Sequence, residues 1–308
     1  MAKQKVNVIV PCTDRKTAEV EELAYIRQVT SRNLESRVEE WFNHLTQVKN
    51  GKRAAIKMYS GSAWTPVLGI SKWPDINIWI ISAGYGLLHH SDEIVPYAAT
   101  FSHQHPDSVS LHNKFSTSDW WMACCKNNNT RSTVKTISEL AKQNPDVPII
   151  VAVSKSYLDA VQADLCTARG FLVNSSLLSI ISVGSNKFGP LANNLLPCDT
   201  RMEKLLGLGR SSLNTRILGD IVNNHDAEFE FKSLTSRIIG QQLNQSTTTY
   251  PVRSRMTDKE VVDFIAESLS TQSFTFTLKQ LRDSGRACEY KRFKALFNRL
   301  KINERNQK

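Results

Sequence analysis

The chain has 308 residues, with 39 Lys and Arg against 29 Asp and Glu and a formal net charge of +10 at pH 7. Its 41% hydrophobic residues are enough for a packed core, which excludes wholesale disorder. The longest apolar run, residues 76–83, is far shorter than the roughly 20 residues that cross a bilayer. Six cysteines without CxxC spacing favour reduced thiols and a cytoplasmic protein.

The charge excess favours an anionic partner, with nucleic acid ahead of a membrane surface, although many cytosolic proteins are simply basic. From Pro251 onward, 13 Lys and Arg stand against 7 Asp and Glu, so this end carries +6 (13 − 7) of the net +10. The positive charge is therefore concentrated at one end of the chain.

Strand-like and helical patterns alternate along the first two thirds of the chain. Predicted strands cover residues 5–10, 53–59, 76–82, 148–153 and 177–183, and helical spacing covers 17–48 (one bent helix or two short ones), 116–126, 131–142 and 155–169. This order predicts an α/β domain over residues 1–198 with a mainly parallel central sheet and helices on both faces. Sites in such sheets lie where the strands end.

A different pattern follows residue 198. Residues 199–240 predict two helices joined by a Gly-Leu-Gly turn, and the polar residues 241–256 predict a linker. Residues 257–308 predict a basic unit of three helices, which begins with a capping box of Thr257 and Glu260. We therefore expect an all-helical C-terminal region that binds DNA, with a winged-helix or helix-turn-helix-like last unit.

The loop after the first strand combines a hydroxyl, a carboxylate and two cations in Thr13, Asp14, Arg15 and Lys16. Its main-chain N–H groups suit an anion, and Asp14 suits a water or a sugar hydroxyl. We expect Arg15 and Lys16, like Lys155 further along the chain, to contact DNA. An ordinary helix N-cap is the alternative.

The segment after the strand at 76–82 is the most informative in the chain. Ser82 is followed by Gly84 and Tyr85, where glycine permits close approach of a flat ligand and the tyrosine can stack on it. His90, Asp92 and Tyr97 follow in the next loop. A tight turn with a packing tyrosine is the alternative.

Three further groups carry candidate binding residues. After the strand at 148–153 come Ser154, Lys155 and Tyr157, where a lysine in the first helical turn hints at an anion. The turn formed by Gly207, Gly209 and Arg210 suits a phosphate at a helix N-terminus, or is a plain glycine-closed turn. In the last unit, the cations that we expect to contact DNA are Arg286, Lys291 and Arg292, or they form a solvated basic face.

Several short motifs resemble those of known families. The run SAGYGLL at 82–88, Asp92, the Pro96-Tyr97 pair and Ser154-x-x-Tyr157 resemble the YaaA family of DNA-binding peroxide-stress proteins. Together with PC-x-x-x-K at 11–16 and YSGS at 59–62, the match is closer to a bacterial anti-phage DNA glycosylase family. That family removes glucosylated hydroxymethylcytosine from T-even-type phage DNA, and its core resembles the uracil-DNA glycosylase fold. The motifs span about half the chain, residues 5–160, and no GQDPY-like loop follows the first strand.

The resemblance implies a glycosylase that flips a modified base out of double-stranded phage DNA and leaves an abasic site. Breaking the N-glycosidic bond passes through an oxocarbenium-like centre, so we predict a catalytic carboxylate, Asp92 or else Asp14, with His90 as proton or hydrogen-bond donor. We expect Tyr85 or Tyr97 to stack on the base, and Ser62, Trp64 and the His-rich loop at 89–112 to bind its sugar. We expect no cofactor, metal, membrane or obligate protein partner.

Two other functions fit the same residues. A non-enzymatic DNA-binding stress protein of the YaaA type would bind duplex with a steep salt dependence and release no base. A hydrolase of nucleosides or nucleotide sugars would not need the basic end of the chain.

Overall fold

The computed structural model describes residues 5–103, 105–110, 115–127, 130, 132–184, 189–207, 209–224, 229–246, 253–267 and 273–306. The chain divides into two compact units, residues 1–248 and residues 249–308. Within the described residues, every helix is too short or too polar to span a membrane.

The first unit alternates strands and helices. Its strands are β1 (Val6–Pro11), β2 (Arg53–Ala54), β3 (Ile76–Ser82), β4 (Gly86–His89), β5 (Glu93–Ile94), β6 (Ile149–Ala152) and β7 (Leu178–Ile181). Its α-helices are α1 (Leu34–Gln47), α2 (Ala55–Met58), α3 (Thr65–Ile70), α4 (Thr117–Asn127), α5 (Ile137–Gln143), α6 (Lys155–Phe171), α7 (Arg201–Leu206), α8 (Leu213–Asn223) and α9 (Phe231–Gln242). Short 3-10 helices lie at Glu22–Ala24, Ile26–Gln28, Ser175–Leu177, Gly189–Asn194 and Arg210–Ser212.

Five strands form the central sheet in the order β4-β3-β1-β6-β7. Four of them are parallel, and β4 runs antiparallel to β3 at one edge. The register pairs Val6 with Ile76 and Pro11 with Ile81, so β1 and β3 end side by side. The predicted mainly parallel α/β sheet is confirmed, whereas β4 is an addition that the sequence pattern did not reveal.

Both faces of the sheet are covered. Residues Val6 to Val10 point alternately to opposite faces, and all five are buried. The helices make two groups of mutual contacts: α1, α4, α5 and α6 in one group, and α3, α7, α8 and α9 in the other. The apolar core therefore lies on both sides of the sheet, and loops occupy the ends of its strands.

The segment 17–33 is not the α-helix that its apolar spacing predicted. It forms two 3-10 turns, and α1 begins only at Leu34. The buried Arg37 guanidinium donates to the carbonyls of Ile26, Val29 and Ser31 at 3.1, 2.7 and 2.9 Å. A side chain thus satisfies backbone acceptors that a helix would pair internally, and this stabilises an irregular path.

The segment 53–59 also differs from prediction. Instead of one strand, it forms the two-residue β2, which pairs only with β5, and then one turn of helix, α2. The short apolar run at this position fits a buried helix turn as well as a strand, because periodicity alone does not separate the two over so few residues.

Residues 199–246 belong to the first unit. α8 contacts both α3 and β6, and Asn214 Nδ2 donates to the Val153 carbonyl at 2.7 Å. α9 extends into the segment predicted as a linker and ends at the buried Gln242, whose side chain accepts a hydrogen bond from Arg201 at 2.9 Å. These helices therefore pack on the sheet domain.

The second unit contains three α-helices and one short ladder. β8 (Ser254–Arg255) pairs in parallel with β9 (Arg286–Ala287), and the helices are α10 (Asp258–Ala266), α11 (Phe274–Asp283) and α12 (Tyr290–Asn306). The predicted capping box of Thr257 and Glu260 is confirmed, with both of its hydrogen bonds formed. The all-helical prediction is not confirmed, because the described residues include this ladder.

Candidate functional site

The parallel strands β1, β3 and β6 end together at one side of the sheet, which we name the carboxyl edge; the side where they begin is the amino edge. After β1, the chain adds β3 on one side of β1 and later β6 on the other, so the strand order reverses between β1 and β6. A crevice outside the strand ends forms at such a reversal. The segments that follow these strands are 12–16, 83–85 and 153–157.

A chain of buried hydroxyls lies beneath the carboxyl edge. Ser82 Oγ lies 2.6 Å from Tyr97 Oη, which lies 2.9 Å from Tyr59 Oη. Ser82 Oγ accepts from the backbone N–H groups of Gly84 and Tyr85, so its own proton is directed to Tyr97. Burial holds the pKa of both Tyr59 and Tyr97 well above the ordinary value. These tyrosines are therefore neutral hydrogen-bonding groups.

The Lys16 ammonium anchors the loop that follows β1. Its Nζ donates to the carbonyls of Thr13 at 2.7 Å and Asp14 at 3.3 Å. It also lies over the rings of Tyr97 and Tyr59, at 4.6 and 5.3 Å from their centroids. Burial lowers the pKa of Lys16, although the nearby Asp14 carboxylate acts in the opposite direction. Lys16 is one of the residues predicted to contact DNA, and in the structure its hydrogen bonds hold the loop after β1 in place.

A thiol and a phenol bridge the point where the strand order reverses. Cys12, directly after β1, has its Sγ 3.2 Å from the hydroxyl of Tyr157 in the first turn of α6. The Tyr157 ring packs edge-on against Phe101, with ring centroids 5.1 Å apart. Burial raises the pKa of Tyr157 well above its ordinary value, so this hydroxyl stays protonated. The structure thus places the predicted residue Tyr157 at the carboxyl edge.

Two carboxylates lie at the carboxyl edge. Asp14 is exposed on the loop after β1. Asp107 is only 4% exposed, and Arg27 Nη1 donates to both of its oxygens at 3.1 and 3.0 Å. Burial raises the pKa of Asp107, with a further rise from Asp14, against the lowering effect of Arg27 and His105. Neither Arg27 nor Asp107 was predicted, because they meet across 80 residues of sequence.

His105 has a defined tautomer beside this pair. Its Nδ1 accepts from the backbone N–H of Asp107 at 3.1 Å, so the proton of the neutral imidazole is on Nε2. The half-buried His105 therefore holds a donor nitrogen at the edge where Asp14 lies. The signal in the sequence was the His-rich loop itself, from which His90 was chosen instead.

The structure places Asp92 and His90 at the amino edge, away from Asp14. β4 runs back along β3, pairing His89 with Trp79, so the chain has left the carboxyl edge by about 10 Å when it reaches His90. Asp92 is 1% exposed, and its carboxylate accepts from the backbone N–H groups of His89 at 2.8 Å and Ser132 at 3.0 Å. Asp92, the first candidate for the catalytic carboxylate, therefore lies away from the carboxyl edge, where the second candidate, Asp14, lies.

Three residues predicted to bind the base or its sugar are part of the packing instead. Trp64 is fully buried against Tyr59 and donates to the Ile56 carbonyl at 3.0 Å. A Cβ on Gly84 would lie 2.6 Å from the ring of Tyr97, so glycine is required there by a protein ring. Tyr85 is buried, and its hydroxyl accepts from Val95 N at 3.2 Å. Tyr85, Tyr97 and Trp64 hence offer no open stacking surface.

The remaining predicted residues of the first unit are more accessible. Arg15, Ser62, Ser154 and Lys155 are exposed, and Thr13 is partly exposed. Thr13 Oγ1 donates to backbone carbonyls, which ties its loop to the residues after α2. Lys155 forms an ion pair with Asp159 at 2.7 Å one helical turn later, and this pair accounts for a lysine at the start of α6.

The glycine hairpin between α7 and α8 forms as predicted in backbone terms. Gly207 and Gly209 both have positive φ, 61° and 44°, which other residues rarely adopt. Arg216 stabilises the turn by donating hydrogen bonds to the carbonyls of Leu206 and Gly207. The side chain of Arg210 lies outside the described residues.

In the second unit, the predicted DNA contacts have unequal surroundings. Arg286 is exposed and lies 5.8 Å from the ring centroid of Phe264. Arg292 pairs with Asp258 and donates to the Met256 carbonyl at 3.0 Å, so it joins α12 to the start of α10. The side chain of Lys291 lies outside the described residues. Arg286 is thus the better placed cation.

The described residues contain no group of three or more His, Cys, Asp or Glu arranged to hold a metal ion. No protein-family model matches the chain, and none of the curated proteins matches it either.

Proposed function

We propose that this protein is a DNA N-glycosylase that acts at the carboxyl edge. The observation that carries this proposal is an exposed carboxylate, Asp14, at the reversal of strand order and beside the buried Asp107–Arg27 pair. A glycosylase needs such a group, because cleavage of the N-glycosidic bond develops positive charge at the sugar C1′. Asp14 takes the catalytic role that the sequence assigned first to Asp92.

In the proposed reaction, the target nucleotide flips out and its sugar lies against Asp14. Asp14 stabilises the charge at C1′ and orients a water, whose oxygen bonds to C1′ as the bond to the base breaks. The water proton passes to Asp14 and from there to the departing base, while His105 Nε2–H donates a hydrogen bond to that base. The products are the free base and an abasic site. The partly exposed Thr13 and the exposed Ser62 and Ser154 supply polar groups for a bulky base.

The basic second unit supplies the grip on DNA in this proposal. Arg286 on its surface, the +6 charge from residue 251 onward and the glycine hairpin of the first unit are suited to phosphates and read no sequence. A winged-helix or helix-turn-helix-like mode for the second unit remains part of this proposal.

The substrate and setting rest on the motif resemblance. We propose that the excised base is glucosylated hydroxymethylcytosine in T-even-type phage DNA and that the enzyme acts in the cytoplasm as an antiviral defence. On the same resemblance, we propose that the sheet domain is of the uracil-DNA glycosylase-like type.

The test is mass spectrometry of the bases released from glucosylated and unmodified phage DNA, together with alkali-labile breaks. Asp14→Asn is expected to lower base release by about 100-fold or more, the typical size of a lost acid–base group. Asp146→Asn, an exposed aspartate in the turn after α5, is the matched control and is expected to keep full activity. Full activity of Asp14→Asn, or no base released from either DNA, would contradict the proposal.

A non-enzymatic DNA-binding protein is the second function, and the basic second unit favours it equally. It requires duplex affinity that falls steeply with salt and no abasic product. Base release in the experiment above therefore separates the two.

A further inference from the structure

A pocket at the amino edge lies apart from Asp14 and Asp107 at the carboxyl edge. It has a volume of about 340 Å³, near the lower end of ligand-binding pockets, and opens between the starts of β1 and β3 and the loop after α5. The side chains that matter here belong to Lys5, Asn7, Asp75, His90 and Asn144.

The hydrogen bonds beneath this pocket have a fixed direction. The indole Nε1 of Trp79 is only a donor, and it lies 3.2 Å from Asn7 Oδ1. The Asn77 atom at 2.9 Å from the same oxygen is therefore the amide nitrogen. Asn77 Oδ1 in turn accepts from His89 Nε2 at 2.9 Å, and His89 Nδ1 accepts from Ser91 Oγ at 2.7 Å. One indole thus sets the orientation of two amides and one imidazole.

With the hydrogen bonds in this direction, the Nδ2 donor of Asn7 is not used. Asn7 is 2% exposed, its Oδ1 already accepts two hydrogen bonds, and its Nδ2 has no partner among the described residues. This nitrogen is not one of the fully enclosed polar atoms that lack a partner, and Asn7 lines the pocket, so the donor opens to the pocket and is available to a ligand there. Trp79 excludes the flipped amide, which would otherwise hide this donor.

The other polar groups of the pocket define the ligand. The lining holds one carboxylate, Asp75, and one ammonium, Lys5, whose formal charges cancel, so the pocket suits a ligand without net charge. The ring nitrogens of the half-buried His90 have no partner among the described residues, and burial lowers its pKa, which keeps the ring neutral. Asn144 donates its Nδ2 to the Leu140 carbonyl at 3.1 Å, which leaves its Oδ1 as an acceptor.

In this pocket one donor, Asn7 Nδ2, lies near acceptors on Asp75 and Asn144. A small neutral molecule with a carbonyl beside an N–H group complements this arrangement, and the edge of a nucleobase has both groups. We propose that the pocket binds a free nucleobase or nucleoside, whose carbonyl accepts from Asn7 Nδ2 and whose N–H groups donate to Asp75 or Asn144. His90, predicted as catalytic, is in this proposal a ligand-binding residue.

The test is a titration of the full chain with uracil, uridine and adenine, and separately with inorganic phosphate, by calorimetry. The Trp79 indole N–H signal is followed by NMR, because a ligand on Asn7 Nδ2 polarises the amide whose oxygen that indole contacts. We expect saturable binding of at least one base or nucleoside, with a shift of this signal.

Asn7→Asp is the sharpest variant, since it keeps an acceptor for Trp79 and Asn77 and replaces the Nδ2 donor by a carboxylate oxygen, which cannot donate to a carbonyl. It is expected to weaken binding at least tenfold, as is His90→Phe, which serves if Asn7→Asp does not fold. Asp14→Asn at the carboxyl edge is expected to leave the affinity within twofold. Binding of phosphate alone, no saturable binding of any base or nucleoside, or unchanged affinity in a folded Asn7→Asp would each overturn the proposal.

Discussion

The two edges of the central sheet carry similar side chains in different states. At the amino edge, the Asp92 carboxylate is buried and accepts two backbone N–H groups. At the carboxyl edge, the Asp14 carboxylate is exposed on a loop that Lys16 anchors through backbone carbonyls. The difference teaches that residue type does not identify a catalytic carboxylate. The burial of the carboxylate separates the two positions better.

Histidines show the same contrast. His89 at the amino edge belongs to a closed chain of hydrogen bonds that ends at Trp79. His105 at the carboxyl edge is fixed at Nδ1 by one backbone N–H. Both ring nitrogens of His89 are therefore hydrogen-bonded within the protein. In His105, one backbone N–H group at Nδ1 sets the tautomer, which places the ring proton on Nε2.

The largest effect is expected for the amino-edge carboxylate. Asp92→Ala removes a buried carboxylate that accepts from two backbone N–H groups, and it is expected to lower the free energy of unfolding by about 2–4 kcal/mol. Asp14→Ala, an exposed position, is expected to change it by about 0.5 kcal/mol or less. Urea denaturation of both variants measures the contrast, and equal losses would remove the distinction between the edges.

An intermediate effect is expected for the loop anchor. Lys16→Met keeps the apolar stem over Tyr97 but loses both hydrogen bonds to loop carbonyls, so Asp14 is less well positioned. Base release is expected to fall about tenfold, equivalent to about 1.4 kcal/mol of barrier, with little change in duplex affinity.

Single-turnover kinetics and DNA binding measure these two quantities for Lys16→Met. If the loss were in DNA affinity and not in turnover, Lys16 would be a phosphate contact, as the sequence had suggested, and not a positioning residue.

The smallest effect is expected in the pH dependence of stability, and its sign differs between the edges. Burial lowers the pKa of His89 and His90 in the folded protein. The unfolded chain therefore binds more protons at these two histidines than the folded chain does. Their contribution is therefore lost as pH falls below about 6.5, the unfolded value. Burial raises the pKa of Asp107, so its contribution is present at low pH and is lost as pH rises from about 3.8 through the folded pKa.

Unfolding curves between pH 4 and pH 8 measure both contributions. His90→Gln is expected to reduce the loss of stability below pH 6.5, and Asp107→Asn to change only the more acidic part of the profile. A loss below pH 6.5 of the same size in His90→Gln as in the parent would exclude His90 as a source.

The elements that were predicted correctly have local causes. The strand at 76–82 is a β-branched run bounded by polar residues, and the structure has β3 at Ile76–Ser82. The capping box at Thr257 needs only four residues. The error at 17–33 arose because the Arg37 side chain pairs backbone carbonyls that a helix would pair internally. The error at 53–59 arose because so short an apolar run fits a helix turn as well as a strand.

The candidate site was predictable only in part. Thr13, Asp14 and Tyr157 follow strands of the parallel sheet, and the rule for strand ends places them correctly. Asp92 was misplaced because the antiparallel β4 carries the chain back to the amino edge. Arg27 and Asp107 were missed because their contact depends on two loops that are distant in sequence.

The sequence by itself determined the α/β class, the parallel strands, most helices and the concentration of positive charge at one end. These follow from short-range periodicity, turn residues and composition, which act within a few residues of each other. Only the tertiary structure decided which carboxylate is exposed and which is buried and hydrogen-bonded to the backbone. It also decided which edge of the sheet each histidine occupies. Hydrogen-bond saturation and burial depend on groups far apart along the chain, so no local pattern contains them.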